Sequence, residues 1–227
     1  MASTGSDAPR TVGRLVSVNV GEPQEVQWAG RTVRTSIWKV PTEGRVMFTG
    51  SNLSGDAQAD LRVHGGPDKA IYAYAAEDYQ WWNSELHTEL APGTFGENLT
   101  TSGVDLTSAV VGEVWSIGSG RLKVTQPRLP CFKLGIRMGD AAFVQRFDEA
   151  RRYGIYLGIL EEGDLGVGDR VELISRPAHG LTATSLAELQ AAPDRNGLAN
   201  LRDNPDVPEE WRIWADRQLR RADRNAT

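Results

Sequence analysis

Gln126-Pro127-Arg128-Leu129-Pro130-Cys131-Phe132-Lys133-Leu134 carries the only cysteine among 227 residues. Its two prolines rule out a regular helix through it and disfavour a central strand. Residues 121–125 before it read as a strand, and with 110–117 and the turn Gly118-Ser119-Gly120 they form a hairpin. The cysteine therefore belongs on a loop at a strand end. Arg128 and Lys133 flank it, and nearby cations favour a thiolate. That is the setting of a nucleophile or of a ligand to a thiophilic metal; a buried, inert thiol is the other reading.

Working outward, strand patterns dominate. Residues 12–20, 26–29, 32–40, 44–48 and 71–74 precede the hairpin, with Ala29-Gly30-Arg31 as a second turn, and 154–160 and 169–174 follow it. Residues 52–60 and 63–70 lack either periodicity and read as loops, and 95–99 is a turn entering a strand. Two helices interrupt the strands: 77–90, with Tyr79, Trp82 and Leu86 on one face, and 140–151, with Phe143 and Phe147 inward. The 24 glycines and 11 prolines imply many tight turns, and with uneven strand spacing they favour a closed barrel or folded sheet over a doubly wound one. After residue 177 the chain turns helical, over 185–192, 196–203 and 208–222. Thr184 or Ser185 is the expected cap of the first, and Pro208 the expected first residue of the last. The organisation is thus a tail at 1–10, a mainly β body at 11–176 and a small helical unit at 180–227, which holds none of the motif positions and is expected to serve stability or assembly.

A net charge of -5 argues against a general electrostatic grip on nucleic acid or an anionic membrane. The five arginines from Arg212 onward fit a solvated helix face in such a chain. One cysteine forms no intrachain disulfide, no apolar run nears the roughly 18 residues of a membrane span, and residues 1–10 lack the apolar core of a signal peptide, so the cytoplasm is the expected location. The pairs Trp81-Trp82 and Trp211-Trp214 suit core and interface equally, which leaves a homodimer open.

Candidate functional residues gather at turns and strand ends: Lys39, Arg45, Asp60, His64, Asp68, Asn98, Arg128, Cys131 and Lys133. Lys39 and Arg45 end neighbouring strand candidates across five residues, so the two cations are expected to lie close together. HExxH, CxxC, GxGxxG and GxxxxGK[ST] patterns are absent, which disfavours zinc hydrolysis, a dinucleotide fold and an NTPase.

Five segments together carry a resemblance. Residues 35–39 (TSIWK), 53–60 (LSGDAQAD), 63–70 (VHGGPDKA), 95–99 (FGENL) and the cysteine stretch are similar, in this order, to the MOSC domain, named after the C-terminal part of molybdenum cofactor sulfurases, and within it to the YiiM-like branch. The helical end resembles the three-helix unit of that branch. The resemblance implies a closed β-barrel related to the pyruvate kinase barrel domain and a molybdopterin-type molybdenum cofactor bonded by the thiolate of Cys131. It places Lys39, Arg45, Asp68, Asn98, Arg128 and Lys133 around the cofactor and Asp60 and His64 beside the chemistry. Pyridoxal phosphate binding, also associated with the superfamily, is a secondary implication. The implied activity is reduction of N-hydroxylated small molecules, such as 6-hydroxylaminopurine, hydroxylamines or amidoximes. A separate flavin or iron–sulfur reductase would donate electrons, because the chain has no flavin motif and too few cysteines for a cluster. Sulfur transfer through a Cys131 persulfide and non-catalytic cofactor carriage are the alternatives.

Overall fold

Thirteen strands and six helices make up the computed structural model, which describes residues 10–57 and 65–225. In order they are β1 (Arg10–Val20), β2 (Gln24–Trp28), β3 (Arg31–Thr35), β4 (Val40–Pro41), β5 (Arg45–Thr49), β6 (Asn52–Leu53), β7 (Ile71–Ala75), α1 (Ala76–Leu86), β8 (Leu99–Ser102), β9 (Val114–Ile117) and β10 (Gly120–Pro127). Then come α2 (Phe132–Met138), α3 (Phe143–Ala150), β11 (Ile155–Glu161), β12 (Gly163–Gly166), β13 (Arg170–Ser175), α4 (Ala183–Ala191), α5 (Arg195–Asp203) and α6 (Glu209–Asn225).

Seven strands close a barrel in the order β13-β9-β10-β11-β7-β8-β1, with β13 returning to β1. Every pair is antiparallel except β7 with β8. Closure removes the unpaired edges that an open sheet would expose. The interior is filled by Leu15, Val18, Ile71, Leu99, Trp115, Ile117, Leu122, Val124 and Leu157, each nearly or fully buried. Phe48 and Leu165 join this core from a three-stranded sheet, β12-β5-β6. The β2–β3 hairpin turns on Ala29 and Gly30, at φ 49° and 75°, the two positive angles a two-residue turn of this hand requires.

An aromatic layer fixes the helices to the barrel wall. Trp82 of α1 stacks on Phe147 of α3 at 5.7 Å and donates its indole N–H to Tyr74 of β7 at 2.9 Å. Tyr79, Phe95 and Phe143 complete the cluster. Each such ring pair adds about 0.5–1.5 kcal/mol beyond the area it buries.

Several boundaries differ from the sequence reading. The strand expected over 32–40 stops at Thr35, and a short β4 follows on the edge of β1. Helix α1 ends at Leu86, not 90, because His87 turns left-handed at φ 50° and the Asn83 side chain accepts the Leu90 N–H at 2.9 Å. Helix α3 begins at Phe143, because the Asp140 carboxylate takes the Ala142 N–H in a turn at 2.9 Å. Helix α2 was not expected: the exclusion by Pro127 and Pro130 ends with Pro130, and Cys131 already caps a helix. Helix α4 is capped by Thr182, which accepts the Ser185 N–H at 3.0 Å, not by Thr184 or Ser185. Pro208 lies just ahead of α6, where its carbonyl accepts the Trp211 and Arg212 N–H groups.

The three C-terminal helices share a core of Leu186, Leu198, Leu201, Trp211, Ala215 and Leu219 that also takes in Val111 from the barrel. Two further links hold them there. Val110 bridges Thr182, and the Trp211 indole N–H donates to Gln126 Oε1 of β10 at 2.6 Å.

Candidate functional site

Strand β10 delivers Arg128 and Cys131 to the rim of the barrel. Cys131 is the N-cap residue of α2, extended at φ −130°, ψ 169°, and its side chain makes no capping bond. Its sulfur is thus not occupied by helix capping. Helix α2 then turns Lys133 back toward the same space. Arg128 is 6% exposed and sits over the Tyr72 ring at 5.5 Å. Burial opposes its charge, but Cys131, Tyr72 and Tyr156 nearby outweigh that and hold its pKa above the ordinary guanidinium value. Among the described residues, neither Arg128 nor Lys133 pairs with a carboxylate.

These residues line a cleft enclosing about 590 Å³, part of it open to solvent. Opposite the cysteine loop stand Ser36 and Lys39, from the irregular stretch after β3. Lys39 is ion-paired with Asp56, and both side chains are nearly buried. Burial pulls the Lys39 pKa down, and Asp56 and Glu97 partly restore it. Asp56 is itself anchored by the Gly21 N–H at 2.9 Å and by Asn98 Nδ2 at 2.9 Å. The Asn98 amide is further engaged by Asn19 O at 3.3 Å and the Tyr72 N–H at 3.1 Å, so it positions Asp56 more than it offers a free group. Ser36 Oγ is buried with no hydrogen-bond partner, an acceptor-donor waiting on the cleft wall. Gly96 lets that wall close in: it has φ +81°, and a Cβ there would lie 2.9 Å from Ile37 Cγ1.

A second cleft of about 860 Å³, part of it open to solvent, adjoins the first and shares Cys131, Lys69 and Tyr156 with it. Its far wall is Gln190 of α4 and Glu210, Trp211 and Trp214 of α6. The helical end of the chain is therefore not remote from the cysteine.

Of the residues singled out in the sequence, Lys39, Asn98, Arg128, Cys131 and Lys133 meet in one cleft. Arg45 does not. It begins β5, half-exposed, and spends its guanidinium on Asp164 and Asp169. Strands β4 and β5 belong to different sheets, so the five residues between Lys39 and Arg45 do not bring the two cations together. Asp68 also lies off the cleft lining; its backbone carbonyl accepts the Thr125 hydroxyl at 2.6 Å. Asp60 and His64 lie outside the described residues. Sequence reasoning missed Ser36, Asp56, Lys69, Tyr72 and Tyr156. Ser36, Asp56 and Lys69 lie within the five matching segments; the tyrosines lie on the outer faces of β7 and β11, which only closure of the barrel distinguishes from the inner ones.

The family model for the MOSC domain matches residues 60–172. The uncharacterized protein YflK of Bacillus subtilis is 34% identical over 200 residues, covering 87% of this chain and 90% of that one. A protein named Reductase from Gibberella moniliformis is 29% identical over 169 residues, 73% of this chain but 30% of that one. The crystal structure of YiiM from Geobacillus stearothermophilus superposes with a TM-score of 0.76 at 25% identity, over 91% of this chain and 99% of that one. The fold agrees with that structure over nearly its whole length, and the chain belongs to the MOSC-domain family, in its YiiM-like branch.

Proposed function

We propose that the cleft binds a molybdenum cofactor and that the protein reduces N-hydroxylated small molecules there. MOSC domains are associated with molybdenum cofactor binding. The residues present fit such a group. Its phosphate needs cations, and Arg128 and Lys133 face the cleft without carboxylate partners; Ser36 Oγ supplies a buried polar atom still without a bond. Among the described residues no cluster of three or more His, Cys, Asp or Glu can hold a metal. A metal carried in by an organic ligand, with Cys131 adding one soft sulfur, suits that composition.

The observation that carries the reading is Arg128: a buried guanidinium beside the only thiol, with that thiol and two tyrosines but no carboxylate near it among the described residues. Burying such a charge without a carboxylate partner is costly, and a bound anion offsets the cost. Lys39, held by Asp56, adds a fixed positive point on the opposite wall. Lys133 reaches the cleft from α2. Tyr156 stands between the two cavities; burial keeps its phenol protonated, with Arg128 only partly opposing this, so it serves as a neutral hydrogen-bond donor. The cofactor would supply two-electron reduction of the N–O bond, R–NH–OH + 2 H⁺ + 2 e⁻ → R–NH₂ + H₂O. The electrons would come from a separate flavin or iron–sulfur reductase, since the sequence has no flavin motif and its single cysteine is too few for a cluster. A fungal relative that bears the name Reductase supports the reaction class. A Cys131 persulfide carrier is the weaker reading, because one small sulfur anion would leave most of the cleft and the buried Ser36 Oγ unused.

The test is metal and pterin analysis of protein made in a host that synthesises the cofactor, followed by turnover of an amidoxime with an artificial electron donor. About one molybdenum per chain, lost in Arg128→Gln, and donor-dependent amine formation are expected. Protein free of molybdenum, or loaded protein without turnover, refutes the proposal.

A further inference from the structure

Six large apolar side chains stand exposed among the described residues, and two of them bracket the first cleft. Phe132, 55% exposed, follows Cys131 at the start of α2. Val40, 61% exposed, follows Lys39 at the start of β4. Cys131 and Lys39 line the cleft from opposite walls. One exposed hydrophobic residue is ordinary, but two that bracket a single opening are not scattered at random. Arg137 joins the two sides: it lies one turn beyond Lys133 on α2, and its guanidinium stands 5.9 Å over the Trp38 ring. Its Nε is buried without an acceptor, and among the described residues it pairs with no carboxylate.

This rim suits the side chains of a protein partner. Strand β4 is the last of its sheet, but Pro41 has no N–H to offer, so that edge is a poor template for strand addition. Cations prevail at the opening, because the one carboxylate in its lining, Asp56, is spent on Lys39. The chain as a whole is acidic, at -5. Screening decides which charge a docked protein meets: at physiological salt, fields fade over about 8 Å, so the local cations outweigh the distant carboxylates. Cations also gather on the outer face of α6, around Ile213, Arg217 and Arg220. There Arg220 is paired with Asp216, and no residue of that groove lines the cleft.

We infer that the rim made by Phe132, Val40 and Arg137 is the docking surface for an acidic electron-carrier protein. Phe132 and Val40 form the apolar centre of the contact, and Arg137 meets carboxylates of the partner. That electrons enter the cleft there rests on the function proposed above; the docking of an acidic carrier does not.

The experiment separates the two. Protein made in a host that synthesises the cofactor is titrated, by calorimetry and surface plasmon resonance, with two acidic carriers, a flavodoxin and a plant-type ferredoxin. Saturable binding of at least one is expected, and it should weaken as salt rises. Phe132→Ala and Val40→Glu should each weaken it about tenfold, as truncation at an interface centre does. Arg137→Glu should slow association about tenfold, and Arg217→Glu on α6 should bind as wild type. Phe132 and Val40 are exposed, so their variants decide alone if Arg137→Glu does not fold. Turnover with reduced methyl viologen, which needs no docking surface, should be unchanged in all four. Absence of binding by both carriers, wild-type affinity in folded Phe132→Ala and Val40→Glu, or a loss confined to Arg217→Glu overturns the inference. Docking that depends on the rim, in a protein that reduces no N–OH compound with any donor, sustains the inference and defeats the proposed reaction. Methyl viologen turnover in a protein that binds neither carrier does the reverse.

Discussion

Arg45 grips Asp164 with two parallel bonds, Nε to Oδ2 at 2.7 Å and Nη2 to Oδ1 at 3.1 Å, and reaches Asp169 Oδ1 with Nη1 at 3.1 Å. This fork ties β5 to β12 and to the turn before β13. Hydrogen bonds from Arg45 and then Ser119 hold the Asp164 carboxyl down at about 2. A carboxyl with a lowered pKa contributes stability above its unfolded value of 3.8, and that contribution is lost as pH falls through about 2. NMR titration should place the Asp164 midpoint near 2, and Arg45→Ala should return it toward 3.8. Molybdenum content of Arg45→Ala should equal that of wild type. A folded Arg45→Ala without metal contradicts the placement of Arg45 outside the site.

The same residue shows what local sequence cannot carry. The spacing of Lys39 and Arg45 resembles a hairpin, but β4 pairs with β1 and β5 with β12, across more than 100 residues in the second case. Pairings of that range leave no local trace. The meeting of Lys39, Asn98, Arg128, Cys131 and Lys133 was legible because loop motifs in fixed order marked them, and the barrel because strands and glycine-rich turns recur. The apolar face of Trp211 and Trp214 was legible as periodicity. Which surface it covers was not, since one hydrogen bond to Gln126 decides it.

Glu97 is fully buried beneath Gly96, and its Oε1 accepts from the Tyr79 hydroxyl, the Gly93 N–H and the Thr100 hydroxyl. Its Oε2 has no partner. Burial raises the pKa, against those hydrogen bonds. A carboxyl with a raised folded pKa contributes stability below its unfolded value of 4.5, and this is lost as pH rises through the folded value. Glu97→Gln does not titrate. Thermal unfolding from pH 4 to 8 should therefore shift the stability difference steadily in favour of the variant. A difference that is flat with pH would show that Glu97 ionises inside as it does in water.

Cys131→Ser should keep the fold and lose the metal. The residue is an N-cap, a position serine fills well, and the present thiol makes no capping bond. The melting temperature should stay level or rise slightly, while molybdenum content and amidoxime turnover fall to background. A serine variant that retains both would remove Cys131 from the metal.

Arg128→Gln removes the charge that neither Asp nor Glu answers, while a long side chain remains under Tyr72. A charged hydrogen bond in a partly buried site is worth about 1.5–3 kcal/mol, so cofactor affinity should fall by roughly ten- to a hundredfold. Because no carboxylate is stranded when the guanidinium goes, stability of the cofactor-free protein should fall far less than cofactor affinity. Equal loss of folding and binding would make Arg128 a structural residue and leave the anion site unsupported.

Lys39 is expected to act on cofactor affinity and Asp56 on the scaffold, and the two are separable. Lys39 and Asp56 form a nearly buried ion pair, with side chains 9% and 2% exposed. Removing one member of such a pair strands the other charge, at a cost of about 3–5 kcal/mol. The two partners are not equivalent, however. Asp56 without Lys39 keeps its bonds from Gly21 and Asn98. Lys39 without Asp56 has only the more distant Glu97 against its burial, and its pKa should fall further. Asp56→Asn should therefore destabilise more than Lys39→Met, and the double variant should recover part of the loss, since no cation is then left stranded. Lys39→Met should lower molybdenum occupancy about tenfold or more at limiting cofactor, with turnover per bound molybdenum close to wild type. Thermal unfolding of the three proteins and metal-normalised kinetics measure both halves. Full occupancy with collapsed turnover in Lys39→Met would move this lysine from the anion to the reacting atoms.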